Sequence, residues 1–252
     1  MGLLLESEQP LPVMGQAMAQ AAPVGENSVA TSEQPKVANT GGPKRGVFPE
    51  KGAGIHVHGD LVISDPVNRR GALREKRQNS FDDFHAVADD LVASRLTTPG
   101  HIAASGRSNG GVLVGAVANQ RPDLYGAIIS GSPLIDMRRY NKLLAGASWM
   151  AEYGNPDVPE DWAFMKEWSP YQNMSDGPDV PAAFYYLSTL DDRVHPGHAR
   201  KAAAKHEAYG QTFYYHEYRE GGHSVGSDHE EDAKRAALLL SYLNREIGKD
   251  AD

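Results

Sequence analysis

The chain has 252 residues, enough for one or two domains, and 40% of them are hydrophobic, which supports a sizeable core. A formal net charge of -8 argues against a nucleic-acid partner, because binding phosphates needs a concentrated positive surface. The lack of cysteine removes disulfides, thiolate metal sites and cysteine nucleophiles.

No apolar run approaches the ~20 residues of a membrane span. The start, Met1 to Glu6, has neither the basic region nor the apolar length of a signal peptide. A soluble, cytoplasmic protein with no membrane partner is expected. Residues 1–52 are rich in Ala, Gly, Pro, Gln, Ser and Glu, with Phe48 as their one aromatic. Such a stretch buries too little apolar surface to offset its ordering entropy. It is therefore read as an unstructured head, and residues 53–252 as the folded domain. Gly54 to Ile63 suits a short strand or a hairpin.

Beyond the head the periodicity sharpens. Ser80 is placed to cap a helix whose first turn holds Asp82 and Asp83, the sign that suits that end of the helix dipole. Phe81, Phe84, Val87, Ala88, Leu91 and Val92 follow at helical spacing, and Thr97-Thr-Pro-Gly100 ends the run. A strand at His101 to Ser105 leads into Gly106-Arg-Ser-Asn-Gly-Gly111, and a helix runs from there to about Asn119. Further strands are expected at Ala127–Ser130, Ala182–Ser188 and Thr212–Tyr218. Further helices are expected over Met137–Glu152, Glu160–Trp168, Pro196–Tyr209 and Asp228–Ile247. Alternating strands and helices imply an α/β fold with a mostly parallel sheet covered on both faces.

Strand, glycine-flanked serine, helix is the layout of a nucleophile elbow. Glycines let the backbone through a tight turn while the Ser108 hydroxyl projects from it. The amide of Asn109, at the start of the next helix, is placed to donate to a developing oxyanion. Leu190-Asp-Asp-Arg-Val-His195 follows one later strand, and Glu220-Gly-Gly-His-Ser224 follows another. Both lie beyond strand carboxyl ends, where open parallel sheets place their ligands. The order Ser, Asp, His is that of the α/β-hydrolases. A serine hydroxyl is a weak nucleophile until a base takes its proton, imidazole can take and return it, and a carboxylate fixes the imidazole tautomer. Asp192 competes with Asp191 for the acid, and His195, His216 and His229 compete with His223 for the base. The pairs His56/His58 and His195/His198 lack the acid or cysteine partners of a metal set, so neither a metal nor a cofactor is expected.

Four ordered motifs resemble the catalytic domain of the prolyl oligopeptidase family of serine peptidases. They are Gly106 to Gly111, Leu190 to Val194, Gly221-Gly-His223, and Gly146-Ala-Ser-Trp149 with Tyr153-Gly154. The resemblance runs from about Leu73 to Ile247. It implies an α/β-hydrolase fold, a peptide substrate cut after proline, Ser108 as nucleophile, Asp191 as acid and His223 as base. It also implies Asn109 at the oxyanion, Trp149 stacked on the substrate proline with Tyr153 nearby, and Arg193 on a substrate carbonyl. A flat indole suits a pyrrolidine ring, and a guanidinium suits a carbonyl acceptor.

The family also carries a β-propeller, early hydrolase strands and an oxyanion tyrosine ahead of the matching region; Tyr125, the first tyrosine here, comes after the serine. Residues 1–70 bear no likeness to the family, and a truncated or frame-shifted gene is the favoured origin. The expectation is thus a sheet short of its N-terminal strands, with self-association through an unpaired edge. Two alternatives stand beside the peptidase: an inactive remnant, and an esterase or aminopeptidase for small substrates.

Overall fold

A computed structural model of the chain describes residues 3–7, 56–58, 70–177, 179–226 and 228–248. Its framework is a sheet of six strands: β1 (Leu3–Ser7), β2 (His56–His58), β3 (Ile102–Arg107), β4 (Tyr125–Gly131), β5 (Ala182–Ser188) and β6 (Phe213–Tyr218). They lie side by side in the order β2-β1-β3-β4-β5-β6, and every pairing is parallel. Parallel neighbours cannot be joined by tight turns, so helices carry the chain back across the sheet. The helices are α1 (Gln78–Ala93), α2 (Gly110–Gln120), the short α3 (Met150–Tyr153), α4 (Pro159–Trp168), α5 (Gly197–Ala208) and α6 (His229–Ile247). Asp228 caps α6 by accepting a hydrogen bond from the Glu231 amide at 2.9 Å.

Side chains of a strand alternate between its two faces, and the core divides accordingly. Ala104, Ile128, Ala183 and Tyr185 join one buried cluster with Phe81, Val114 and Val117 of α1 and α2. Their chain neighbours Ala103, Ile129, Phe184 and Tyr186 join the other, with Tyr242 and Ile247 of α6. Fully burying a large apolar side chain contributes about 1.5–3 kcal/mol. The two clusters therefore clamp the sheet from both sides, as expected of an α/β-hydrolase. The Tyr242 hydroxyl also donates to the Ala182 carbonyl at 2.6 Å and accepts from the Ile128 amide at 2.9 Å, which fixes α6 across two strands.

Three expectations are corrected. Leu3–Ser7 falls in the stretch read as an unstructured head, yet it forms β1, in register with β3 from Leu3–Ile102 to Ser7–Gly106. Three consecutive leucines do not alternate with polar residues, so a search for alternation passes over them. Residues 8–55 and 59–69 lie outside the described residues, including the boundary drawn at residues 52 and 53. Ser80 does not cap α1, because the backbone of Arg77 is already helical and the Ser80 amide donates to the Arg77 carbonyl at 3.1 Å. An N-cap needs an extended residue at that point. Met137–Glu152 is not one helix but two 3₁₀ segments, Tyr140–Lys142 and Leu144–Trp149, followed by α3. Leu144 has φ 48, which interrupts a right-handed helix, and a Cβ on Gly146 would lie 1.6 Å from the Tyr140 carbonyl oxygen.

Candidate active site

Ser108 stands between the last residue of β3 and the first turn of α2, with φ 57. A left-handed backbone costs a residue with a Cβ about 1–2 kcal/mol, so the turn must be held from outside. The Ser108 amide donates to the Gly131 carbonyl at 2.9 Å. Its carbonyl accepts from the amides of Gly111 at 3.0 Å and Leu134 at 2.9 Å. Glycine is required at Gly106 by close approach, since a Cβ there would meet the Gly110 carbonyl oxygen at 2.3 Å. Asn109 is the N-cap residue of α2. The first amides of a helix have no intrahelical acceptor and bear the positive end of its dipole.

β5 and β6 end at the same rim as β3. There the His223 Nε2 lies 2.9 Å from the Ser108 Oγ, and the His223 Nδ1 lies 2.9 Å and 3.0 Å from the two Asp191 carboxylate oxygens. Asp191 Oδ1 also accepts from the backbone amides of Arg193 and Val194, each at 2.9 Å. Asp191 and His223 are both 5% exposed. Burial pushes the Asp191 carboxyl up, but the His223 hydrogen bond and the two amides outweigh it and hold the group below the usual carboxylate range. A carboxylate so held keeps Nδ1 protonated and leaves Nε2 free to accept the hydroxyl proton. The arrangement can therefore generate an alkoxide-like nucleophile.

Among the described residues, none of the competing residues hydrogen-bonds to Ser108 or to the His223 ring. Asp192 is exposed. The Nδ1 of His195 accepts from the Gly197 amide at the start of α5, and His216 packs edge-on against Tyr218. Trp149 is half-buried, and the Ala145 amide of its 3₁₀ segment donates to the Arg193 carbonyl at 3.2 Å, which joins that segment to the Asp191 loop. Among the described residues the Arg193 guanidinium makes no hydrogen bond or ion pair, so its donors are open to a ligand. Tyr153 requires a correction. It is 0% exposed, with its ring against Tyr140 and Trp168 and beneath the Arg77 guanidinium. It offers no surface to a substrate.

Residues 54–250 match the prolyl oligopeptidase family. The chain belongs to that family. The match opens well before Leu73, so the segment around β2, read as bearing no likeness, is part of it. An uncharacterized peptidase of Sinorhizobium fredii is 46% identical over 175 residues, 69% of this chain and 24% of that protein. A prolyl endopeptidase of Elizabethkingia miricola is 36% identical over 179 residues, 69% of this chain and 25% of that protein. A post-proline cleaving enzyme from Rickettsia typhi superposes with a TM-score of 0.68 at 35% identity, covering 71% of this chain and 26% of its own. The chain thus spans about a quarter of the length of these relatives. Among the described residues no helix is long and apolar enough to cross a membrane.

Three side chains near the histidine were given no role in the reading of the sequence. The Ser188 Oγ lies 2.5 Å from the Gly221 carbonyl and 3.0 Å from that of Glu220. Arg235 of α6 donates to the Val225 carbonyl at 2.7 Å, and Arg107 donates to the carbonyl of His223 itself. Arg107 fills the variable position of the Gly-x-Ser pattern, where a charged residue was the one available signal.

Proposed function

We propose that this chain is the catalytic part of a serine peptidase that cleaves peptides after proline through an acyl-enzyme. The observation that carries the reading is the continuous hydrogen-bonded line from the Ser108 Oγ through His223 to Asp191. In this reading the Ser108 Oγ attacks the scissile carbonyl carbon while His223 Nε2 takes its proton. The Asn109 amide donates to the oxyanion, and His223 then protonates the leaving amine. Water, deprotonated by the same imidazole, releases the acyl group. Asp191 stabilises the imidazolium without itself taking the proton. Trp149 faces the proline ring and Arg193 donates to a substrate carbonyl. The choice of proline is supported by the prolyl endopeptidases and the post-proline cleaving enzyme among the relatives.

A fluorophosphonate probe tests the chemistry. Labelling mapped to Ser108, and abolished in His223→Ala, is the expected result; a well-folded protein that takes no label is an inactive remnant. A proline arylamide compared with a short acyl ester tests the specificity. Turnover confined to the ester, and unchanged in Trp149→Ala, would make the chain an esterase.

A further inference from the structure

His223 sits in a loop with little intrinsic order. Gly221, Val225 and Gly226 all have positive φ, at 73, 56 and 89, and three of the six residues from Gly221 to Gly226 are glycine. Glycine gives a chain freedom rather than direction. What directs the loop is the capture of its carbonyls by Ser188 at the end of β5, Arg235 in α6 and Arg107 at the end of β3.

Arg107 differs from the other two in where it is rooted. It immediately precedes the serine, yet its guanidinium reaches 116 positions along the chain to the residue that bears the imidazole. It therefore ties the segment carrying the nucleophile directly to the residue carrying the base. The Nε of Arg107 is buried and has no acceptor among the described residues. That atom is withdrawn from water, and a charged donor to a carbonyl is strong where water is partly excluded.

We propose that Arg107 is a positioning residue that sets the spacing between the His223 imidazole and the Ser108 hydroxyl, an inference that rests on the triad reading above. The 2.9 Å contact between those groups has to survive in a glycine-rich loop. A displacement of 1 Å costs on the order of 10²-fold in rate.

The test compares Arg107→Met, which keeps the stem and removes the donors, with Arg107→Lys, which restores a charged donor. Three readouts are taken on the full chain: the rate of fluorophosphonate labelling at Ser108, kcat and KM on a proline arylamide, and the downfield proton resonance of the imidazole Nδ1–H. The methionine variant is expected to label roughly 10–10²-fold more slowly, with kcat reduced and KM nearly unchanged. Its Nδ1–H resonance should broaden through exchange, and lysine should recover part of each effect. Labelling at the unsubstituted rate with an intact resonance overturns the proposal. So does a loss that follows the melting temperature and is not relieved by lysine. Should methionine prevent folding, Arg107→Gln supplies a neutral donor, and failure of that variant to fold also overturns it. If the unsubstituted chain takes no label, the peptidase reading falls, while the Nδ1–H resonance still reports whether Arg107 holds His223.

Discussion

The serine turn and the histidine loop face each other across 2.9 Å, but they are built by opposite means. The turn is a backbone object: the end of β4, the Leu134 amide just beyond it and the first turn of α2 supply its backbone hydrogen bonds, and Gly106 leaves room for the chain to double back. The histidine loop is a borrowed object, held by side chains from β3, β5 and α6. A turn fixed by close backbone packing tolerates no added atom. A loop fixed by single side chains loosens when any one of them is shortened. The contrast teaches that the two halves of one contact should fail in different ways.

The largest effect is expected where both regions meet. Asp191→Asn leaves the geometry in place but favours the wrong imidazole tautomer, and turnover should fall by about 10⁴-fold. Steady-state kinetics on a proline arylamide measure it; a loss of less than tenfold would remove Asp191 from the triad.

Gly106→Ala attacks the turn. Its Cβ would press on the Gly110 carbonyl oxygen at 2.3 Å, a backbone atom that cannot swing aside. The expected cost is about 3 kcal/mol in urea unfolding, accompanied by loss of labelling. An alanine variant of unchanged stability would show the turn to be more compliant than its packing implies.

A third prediction concerns the acid's side of the rim through pH. His198, at the start of α5, is buried and accepts from the Asp136 amide at 3.0 Å through Nδ1. Burial pushes its pKa down from 6.5 to about 4. The folded state therefore resists a proton that the unfolded chain binds readily, and stability falls as pH drops below the unfolded value. From pH 7 to 4.5 this one group should cost on the order of 2 kcal/mol. His198→Asn keeps an acceptor and removes the titration, so its stability should decline less steeply over the same range. Identical slopes in urea titrations would count against it. Asp191, whose folded pKa is depressed, acts in the same sense at lower pH: its stabilisation is present above the ordinary carboxylate value and is lost as pH falls through the folded one.

The smallest effect is expected from Ser188→Ala, which frees the Gly221 and Glu220 carbonyls. A loss of about 1 kcal/mol in stability is expected, with a larger fractional loss of labelling rate. Equal proportional losses in both would mean that the loop is braced chiefly by its two arginines.

Residues that act through their neighbours in the chain were legible before any coordinates. The elbow could be read from glycines flanking a serine between apolar runs, and the helical spacing of Phe81, Phe84, Ala88 and Leu91 from a repeat of three and four. β1 was not legible, because three leucines ahead of a polar stretch resemble many unstructured beginnings until β3 stands beside them. Tyr153 was misplaced for a related reason: the motif fixed its position in the chain, but only packing against Tyr140, Trp168 and Arg77 fixed its direction.

From the order of residue types alone came the α/β architecture and the candidate serine, acid and base in their order, because periodicity and turn chemistry act over a few residues. Tertiary structure brought Asp191 rather than Asp192, and His223 rather than the other histidines, into the hydrogen-bonded line to Ser108, turned Tyr153 inward, and brought Arg107 to the far carbonyl. Those outcomes depend on which groups meet across the sheet, and such meetings are settled by the packing of the whole chain.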